Sequence, residues 1–206
     1  MDRTESIRAL TDELSRAGRF FFERGWVPAT AGNFSARLDA HQLLITASGR
    51  HKGELDAEGF LLVGLDGEVL SPGRKPSAET GLHLQLYRRA PELGAVLHTH
   101  SLHATLLSRL SPGGVVLEGY EVLKALPGVV THEVRLEVPV FPNDQDIPRL
   151  AARVEDYMRE HPGLPGYLIE GHGFYTWGRT VADARRHMEA FEFLFECEWE
   201  MRKLKR

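Results

Sequence analysis

Gly94-Ala95-Val96-Leu97-His98-Thr99-His100-Ser101 joins a short apolar run to two closely spaced histidines. The run Gly94–Leu97 reads as a buried strand. Residues two apart in a strand project to the same side. His98 and His100 therefore present their imidazoles together, as a metal-ligand pair does. A third histidine has a comparable setting far downstream, where Tyr167-Leu168-Ile169 leads into Glu170-Gly171-His172-Gly173. Glycines on both sides of His172 allow a tight turn and close backbone approach. Three neutral imidazoles around an open position make a catalytic zinc site. The chain has ten histidines, so capping and loop roles compete with this reading for any one of them. His103 sits near the pair at a different spacing and reads as a neighbour or surface residue, not a ligand.

The flanking sequence alternates helical and strand patterns. Ile7, Leu10, Leu14, Ala17 and Phe21 recur at helical spacing over 4–24, and Gly25 stops that helix. Phe34–Leu38 and Gln42–Thr46 read as strands. Leu61–Val63 and Glu68–Leu70 flank Asp66-Gly67, a hairpin signal. A helix is expected over 78–89, a strand or two over 129–140, and a helix over 147–160 with Pro148 in its first turn. The last helix opens with Thr180 and Asp183 at capping-box spacing. Its apolar line, Ala184, Met188, Phe191, Phe195 and Trp199, can pack on a sheet or on a neighbouring subunit.

Two loops and several carboxylates stand near these elements. Ala31-Gly32-Asn33 offers exposed backbone donors, although a plain turn explains it equally well. Ala47-Ser48-Gly49-Arg50-His51-Lys52-Gly53 combines a hydroxyl, glycines and cationic side chains, a composition that can cradle a phosphate. A solvent-exposed loop is the competing reading. Glu79 falls in the first turn of its helix, where a carboxylate is favoured, and shares a face with His83. Glu118 and Glu121 follow the histidine pair, and spacing does not choose between them.

With 206 residues, 42% hydrophobic and 26% charged, the sequence suits one domain over 1–206. A net charge of -4 gives no sign of nucleic acid or an anionic membrane as partner. No apolar run reaches transmembrane length, and no signal segment follows Met1. The lone Cys197 suits a reducing compartment, and it reads as a packing residue. A cytoplasmic location is therefore expected.

In combination these pieces resemble the class II aldolase/adducin family over nearly the whole chain. The resemblance rests on Ala31-Gly32-Asn33-Phe34-Ser35, Ile45-Thr46-Ala47-Ser48-Gly49, Ser77-Ala78-Glu79, His98-Thr99-His100 and Gly171-His172-Gly173. It implies a three-layer αβα fold of the α/β class, with a central, mainly antiparallel sheet flanked by helices. It implies one zinc per subunit on His98, His100 and His172, and a homotetramer with sites near subunit boundaries. Phosphate binding is carried onto Asn33, Ser48, Gly49 and Ser77, with Lys52 as a further contact. Glu79 matches the catalytic carboxylate of the family's aldolases, and Glu121 the proposed acid/base of its dehydratases. Ser48–Gly53, His98–Ser101 and Gly171–Gly178 look most like the branch that dehydrates a methylthio-substituted ketose phosphate. Aldol cleavage of a fuculose-, rhamnulose- or ribulose-type phosphate, or epimerisation, is the alternative. Retention of the three histidines and both carboxylates argues against a noncatalytic structural protein.

Overall fold

The apolar positions of the first helix do what their spacing predicts. In the structure, a computed structural model that describes residues 2–205, helix α1 (Arg3–Glu23) buries Leu14, Ala17 and Phe21. Fully burying a side chain of this kind stabilises by roughly 1.5–3 kcal/mol. Strands β1 (Asn33–Arg37), β2 (Gln42–Thr46) and β3 (Phe60–Gly64) follow, then α2 (Thr80–Arg89) and β4 (Ala95–Thr99). Helix α3 (Leu102–Leu110) leads to β5 (Gly114–Glu118), β6 (Arg135–Phe141) and α4 (Ile147–Glu160). Strands β7 (Gly166–Ile169) and β8 (Gly173–Gly178) precede the long α5 (Val181–Leu204).

These strands form one sheet in the order β3-β2-β1-β4-β8-β7-β6-β5. Every pairing is antiparallel except β6 with β7. Helices α1, α3 and α5 cover one face, and α2 and α4 the other. The architecture is the three-layer α/β fold with a mainly antiparallel sheet. Strand β4 lies in the middle and is buried along its whole length, so it cannot show the alternation of a half-exposed strand. Along β4, Ala95 and Leu97 pack towards α5, and Val96 packs towards α2 and α4. The apolar line of α5 is used within its own chain, where Phe191 and Phe195 close on Phe174 of β8.

Local departures from the expected elements have local causes. Helix α2 begins two residues late because the Ser77 carbonyl accepts from both the amide and the hydroxyl of Thr80, making a turn first. Glu79 is thus the residue before the helix, not a first-turn residue. The expected strand over 129–140 starts only at Arg135. Upstream, the Val129 amide closes a turn onto Leu126, and the Glu133 amide is held by the Thr131 hydroxyl. The return arm of the Asp66-Gly67 hairpin keeps one bridge, Val63 with Val69. Among the described residues, no helix is long and apolar enough to cross a membrane.

Candidate active site

Sheet register builds the site. Asn33 of β1 lies directly across from His98 of β4, His98 lies across from Tyr175 of β8, and Tyr175 lies across from Tyr167 of β7. Four side chains from distant parts of the chain thereby form one row. His98 stacks on Tyr175 with ring centroids 3.9 Å apart, and Tyr175 stacks on Tyr167 at 5.0 Å. His100 follows β4, and its ring lies 4.6 Å from that of His98 and 4.5 Å from that of His172. The turn carrying His172 can approach because Gly173 has no side chain. A Cβ there would stand 2.0 Å from the Thr99 carbonyl oxygen. Gly32 is likewise required: its φ is +78°, and a Cβ would meet the His98 carbonyl oxygen at 2.6 Å.

A carboxylate joins the three histidines. Although Glu79 occupies the cap position of α2, its side chain makes no cap hydrogen bond. It turns into the cluster instead, with Oε1 2.8 Å from His172 Nε2 and Oε2 3.3 Å from His98 Nε2. Asn33 Nδ2 donates to Oε2 at 2.6 Å, and the Tyr175 hydroxyl donates to it at 3.1 Å. The ligand atoms of Glu79, His98, His100 and His172 all lie within 4.8 Å of one another. The cluster can therefore coordinate a metal ion. The ring orientations suit that task. His98 Nδ1 donates to the Phe174 carbonyl at 3.0 Å, which leaves the Nε2 lone pair free. The Asn143 side-chain oxygen lies 3.4 Å from His172 Nδ1 and favours the same tautomer there.

The electrostatics agree with a ligand set. Burial lowers His98 well below the ordinary imidazole range and brings His100 down to about 4, so both are neutral at pH 7. Burial alone would raise Glu79. The closeness of the His98 and His172 rings and the hydrogen bond from Asn33 outweigh it and hold this carboxyl well below its usual range. Three imidazole nitrogens and one carboxylate oxygen are a donor set for zinc, and also for iron, manganese or cobalt.

The cluster opens into a cavity of about 380 Å³ that also receives Thr30, Asn33, Ser48, Gly49, Lys52 and Ser77. The structure thus brings the expected phosphate contacts into the same cleft as the histidines. Asn33 has both ends of its amide engaged, by Glu79 and by His83. Lys52 is almost wholly buried, donates to the Thr30 and Arg50 carbonyls, and is pulled down to about 8 by burial, with Glu79 opposing that fall. Glu121 lies elsewhere. It starts an exposed 3-10 turn over Glu121–Ala125 and pairs with Lys124 and His132. Glu118, Glu170 and His103 also stand outside the cluster. Tyr175, His83 and Asn143 are site residues that sequence patterns did not single out as such; their partners come only from register and loop packing.

Comparison with known proteins agrees with this geometry. The family model described as "Class II Aldolase and Adducin N-terminal domain" matches residues 12–199. A methylthioribulose-1-phosphate dehydratase of Methylococcus capsulatus is 61% identical over 194 residues, 94% of this chain and 95% of that protein. The protein of the same name from Pseudomonas aeruginosa strain PAO1 is 57% identical over 198 residues, 96% of this chain and 97% of its own. Among solved structures, YgbL of Escherichia coli has a TM-score of 0.81 at 30% identity, covering 95% of this chain and 90% of that one. The l-fuculose-1-phosphate aldolase of Thermus thermophilus has a TM-score of 0.79 at 27% identity, with 97% and 98% covered.

Proposed function

Because the chain belongs to the class II aldolase and adducin family, we infer that its histidine cluster serves a lyase reaction on a phosphorylated ketose. The reaction is dehydration of 5-methylthioribulose 1-phosphate to 2,3-diketo-5-methylthiopentyl 1-phosphate, a step of methionine salvage. One observation carries this reading: the histidine and carboxylate cluster shares one cleft with Ser48, Gly49, Lys52 and Ser77 in a chain 57–61% identical to the two dehydratases named above. Zinc is the proposed ion, one per subunit, on His98, His100 and His172. A divalent ion there would act as a Lewis acid towards the substrate's C2 carbonyl and C3 hydroxyl, stabilising an enediolate.

The chain's own groups divide the rest of the task. Ser48, Gly49, Ser77 and Lys52 bind the phosphate, and Asn33 orients Glu79 beside them. Glu121 is proposed to move the protons, taking one from C3 and giving one to the departing C4 hydroxyl. Glu79 is the second candidate for those transfers. Glu121 faces solvent in its own chain, so it serves the cleft of a neighbouring copy, which is why a homotetramer forms part of this reading. Aldol cleavage is the second reading, favoured by the position of Glu79 in the cluster and by the likeness to the fuculose phosphate aldolase.

Product analysis separates the two. With the methylthio ketose phosphate as substrate, loss of water with the carbon chain intact is expected. Two shorter fragments would overturn the dehydratase. Glu121→Gln should lower the rate by roughly 10²–10⁴-fold, the scale of a general acid/base residue, with metal content unchanged. An unaltered rate in Glu121→Gln beside collapse in Glu79→Gln would move proton transfer to Glu79.

A further inference from the structure

His83 takes no part in the chemistry above, yet it is wholly buried on α2 between two strands and the cluster. A buried imidazole needs a partner for each nitrogen, and His83 has both. Its Nε2 lies 2.5 Å from Asn33 Oδ1, and its Nδ1 lies 2.7 Å from Ser35 Oγ. Ser35 Oγ is in turn 2.9 Å from the Tyr87 hydroxyl.

Donor and acceptor chemistry fixes the direction of this chain. The Glu79 carboxylate only accepts, so Asn33 must present its NH₂ group to Glu79. The Asn33 carbonyl then faces His83, so Nε2 must carry the proton and donate. A neutral imidazole leaves Nδ1 as an acceptor. Ser35 donates to it and accepts from Tyr87. All four hydrogen bonds point from Tyr87 towards the Glu79 carboxylate. Burial brings His83 down to about 4, so the neutral form that this order requires holds at pH 7.

We propose that His83 is a positioning residue that locks the Asn33 amide in the one orientation able to donate to Glu79, and thereby holds that carboxylate against the histidine cluster. Without the Nε2–H donor, Asn33 keeps only Glu79 to distinguish its two orientations, and its carbonyl loses the donor that holds it. In the flipped orientation an amide oxygen would face a carboxylate oxygen. The inference rests on reading the cluster as a metal site.

The test compares His83→Leu, His83→Asn and His83→Gln by competition for zinc against a chromogenic chelator. Glutamine places an amide nitrogen near the Nε2 position, whereas asparagine reaches only as far as Nδ1. Loss of a hydrogen-bonding partner behind a metal site costs about 10–100-fold in affinity. His83→Leu and His83→Asn should fall in that range, and His83→Gln should stay within about threefold of the parent on the same scale. The visible spectrum of the cobalt-loaded protein should shift in the Leu and Asn variants and not in the Gln variant. In an Asn33→Ala background, His83→Asn should cost nothing further. The Asn variant keeps the experiment decisive if His83→Leu does not fold. Parent and His83→Asn proteins of equal metal affinity would overturn the proposal alone. A parent protein that takes up no divalent ion would overturn the metal-site reading beneath it.

Discussion

Glu192→Gln should stabilise this protein, and by an amount that grows with pH. Glu192 lies on α5, behind β4, 2% exposed. Its Oε1 accepts from the Thr99 hydroxyl at 2.9 Å, and Oε2 has no partner among the described residues. Burial raises the carboxyl from 4.5 to about 7 against the opposing pull of the Ser101 and Thr99 hydroxyls, and nearby Glu196 adds to the rise. At roughly 1.4 kcal/mol per pKa unit, ionised Glu192 costs the fold roughly 3 kcal/mol. The folded acid holds its proton more tightly than the unfolded chain does. Below about pH 4.5 both are protonated and there is no cost; from there to about 7 only the unfolded chain ionises freely, and stability is lost across that window. Glutamine keeps the Thr99 bond and cannot ionise. Urea unfolding of metal-free wild type and variant should therefore show a gap that widens by roughly 2–3 kcal/mol between pH 5 and pH 8. In thermal scans this corresponds to roughly 5–10 °C at this chain length. Metal must be chelated, because binding to the folded state alone adds stability of its own. Both proteins carry the same histidines, so their titration cancels in the difference. Parallel stability curves, with a gap independent of pH, would refute the buried, proton-holding carboxyl.

Lys52 titrates near the working range. Burial has pulled it down to about 8, so phosphate affinity should weaken as pH rises through that value. KM for the phosphorylated substrate should climb between pH 7.5 and 9 in wild type and stay flat in Lys52→Met, and identical profiles would contradict the assignment. Gly173→Ala should destabilise the fold by roughly 2–4 kcal/mol, since its Cβ would meet the Thr99 carbonyl at 2.0 Å. A wild-type melting temperature with full metal content would show that the turn bearing His172 can retreat at no cost.

The parts of the site that could be read in the sequence are those set by local periodicity. His98 and His100 sit together because a strand repeats every two residues, and the glycines around His172 announce a close approach. Thr180 caps the helix that follows, as its position suggests. The parts that could not be read depend on register. The row Asn33, His98, Tyr175 and Tyr167 spans four strands, and no spacing within any one of them encodes it. His83 was visible only as a neighbour of Glu79 on a helix face. In the structure it reaches that carboxylate through Asn33, a residue fifty positions away. The strand expected over 129–134 failed because a hydroxyl and a turn claim amides that a ladder would have used.

Strand β4 is held from both faces, and this bears on how the site works. On one face, His98 is clamped by Tyr175 and the Phe174 carbonyl. On the other, Thr99 is tied to Glu192. A candidate ligand such as His98, on a strand fixed in this way, would lose little freedom on taking up an ion. Glu79 connects this rigid histidine end to the proposed phosphate end. It touches His98 and His172 directly, and its charge is also what resists the fall of Lys52. Neutralising Glu79 therefore does two things at once: it removes an oxygen from the cluster, and it lets Lys52 shed its proton nearer to neutrality. On the proposed roles, a rate loss in Glu79→Gln would mix weaker phosphate binding with altered chemistry, whereas one in Glu121→Gln, at an exposed residue remote from both groups in its own chain, would report on the proposed proton transfer.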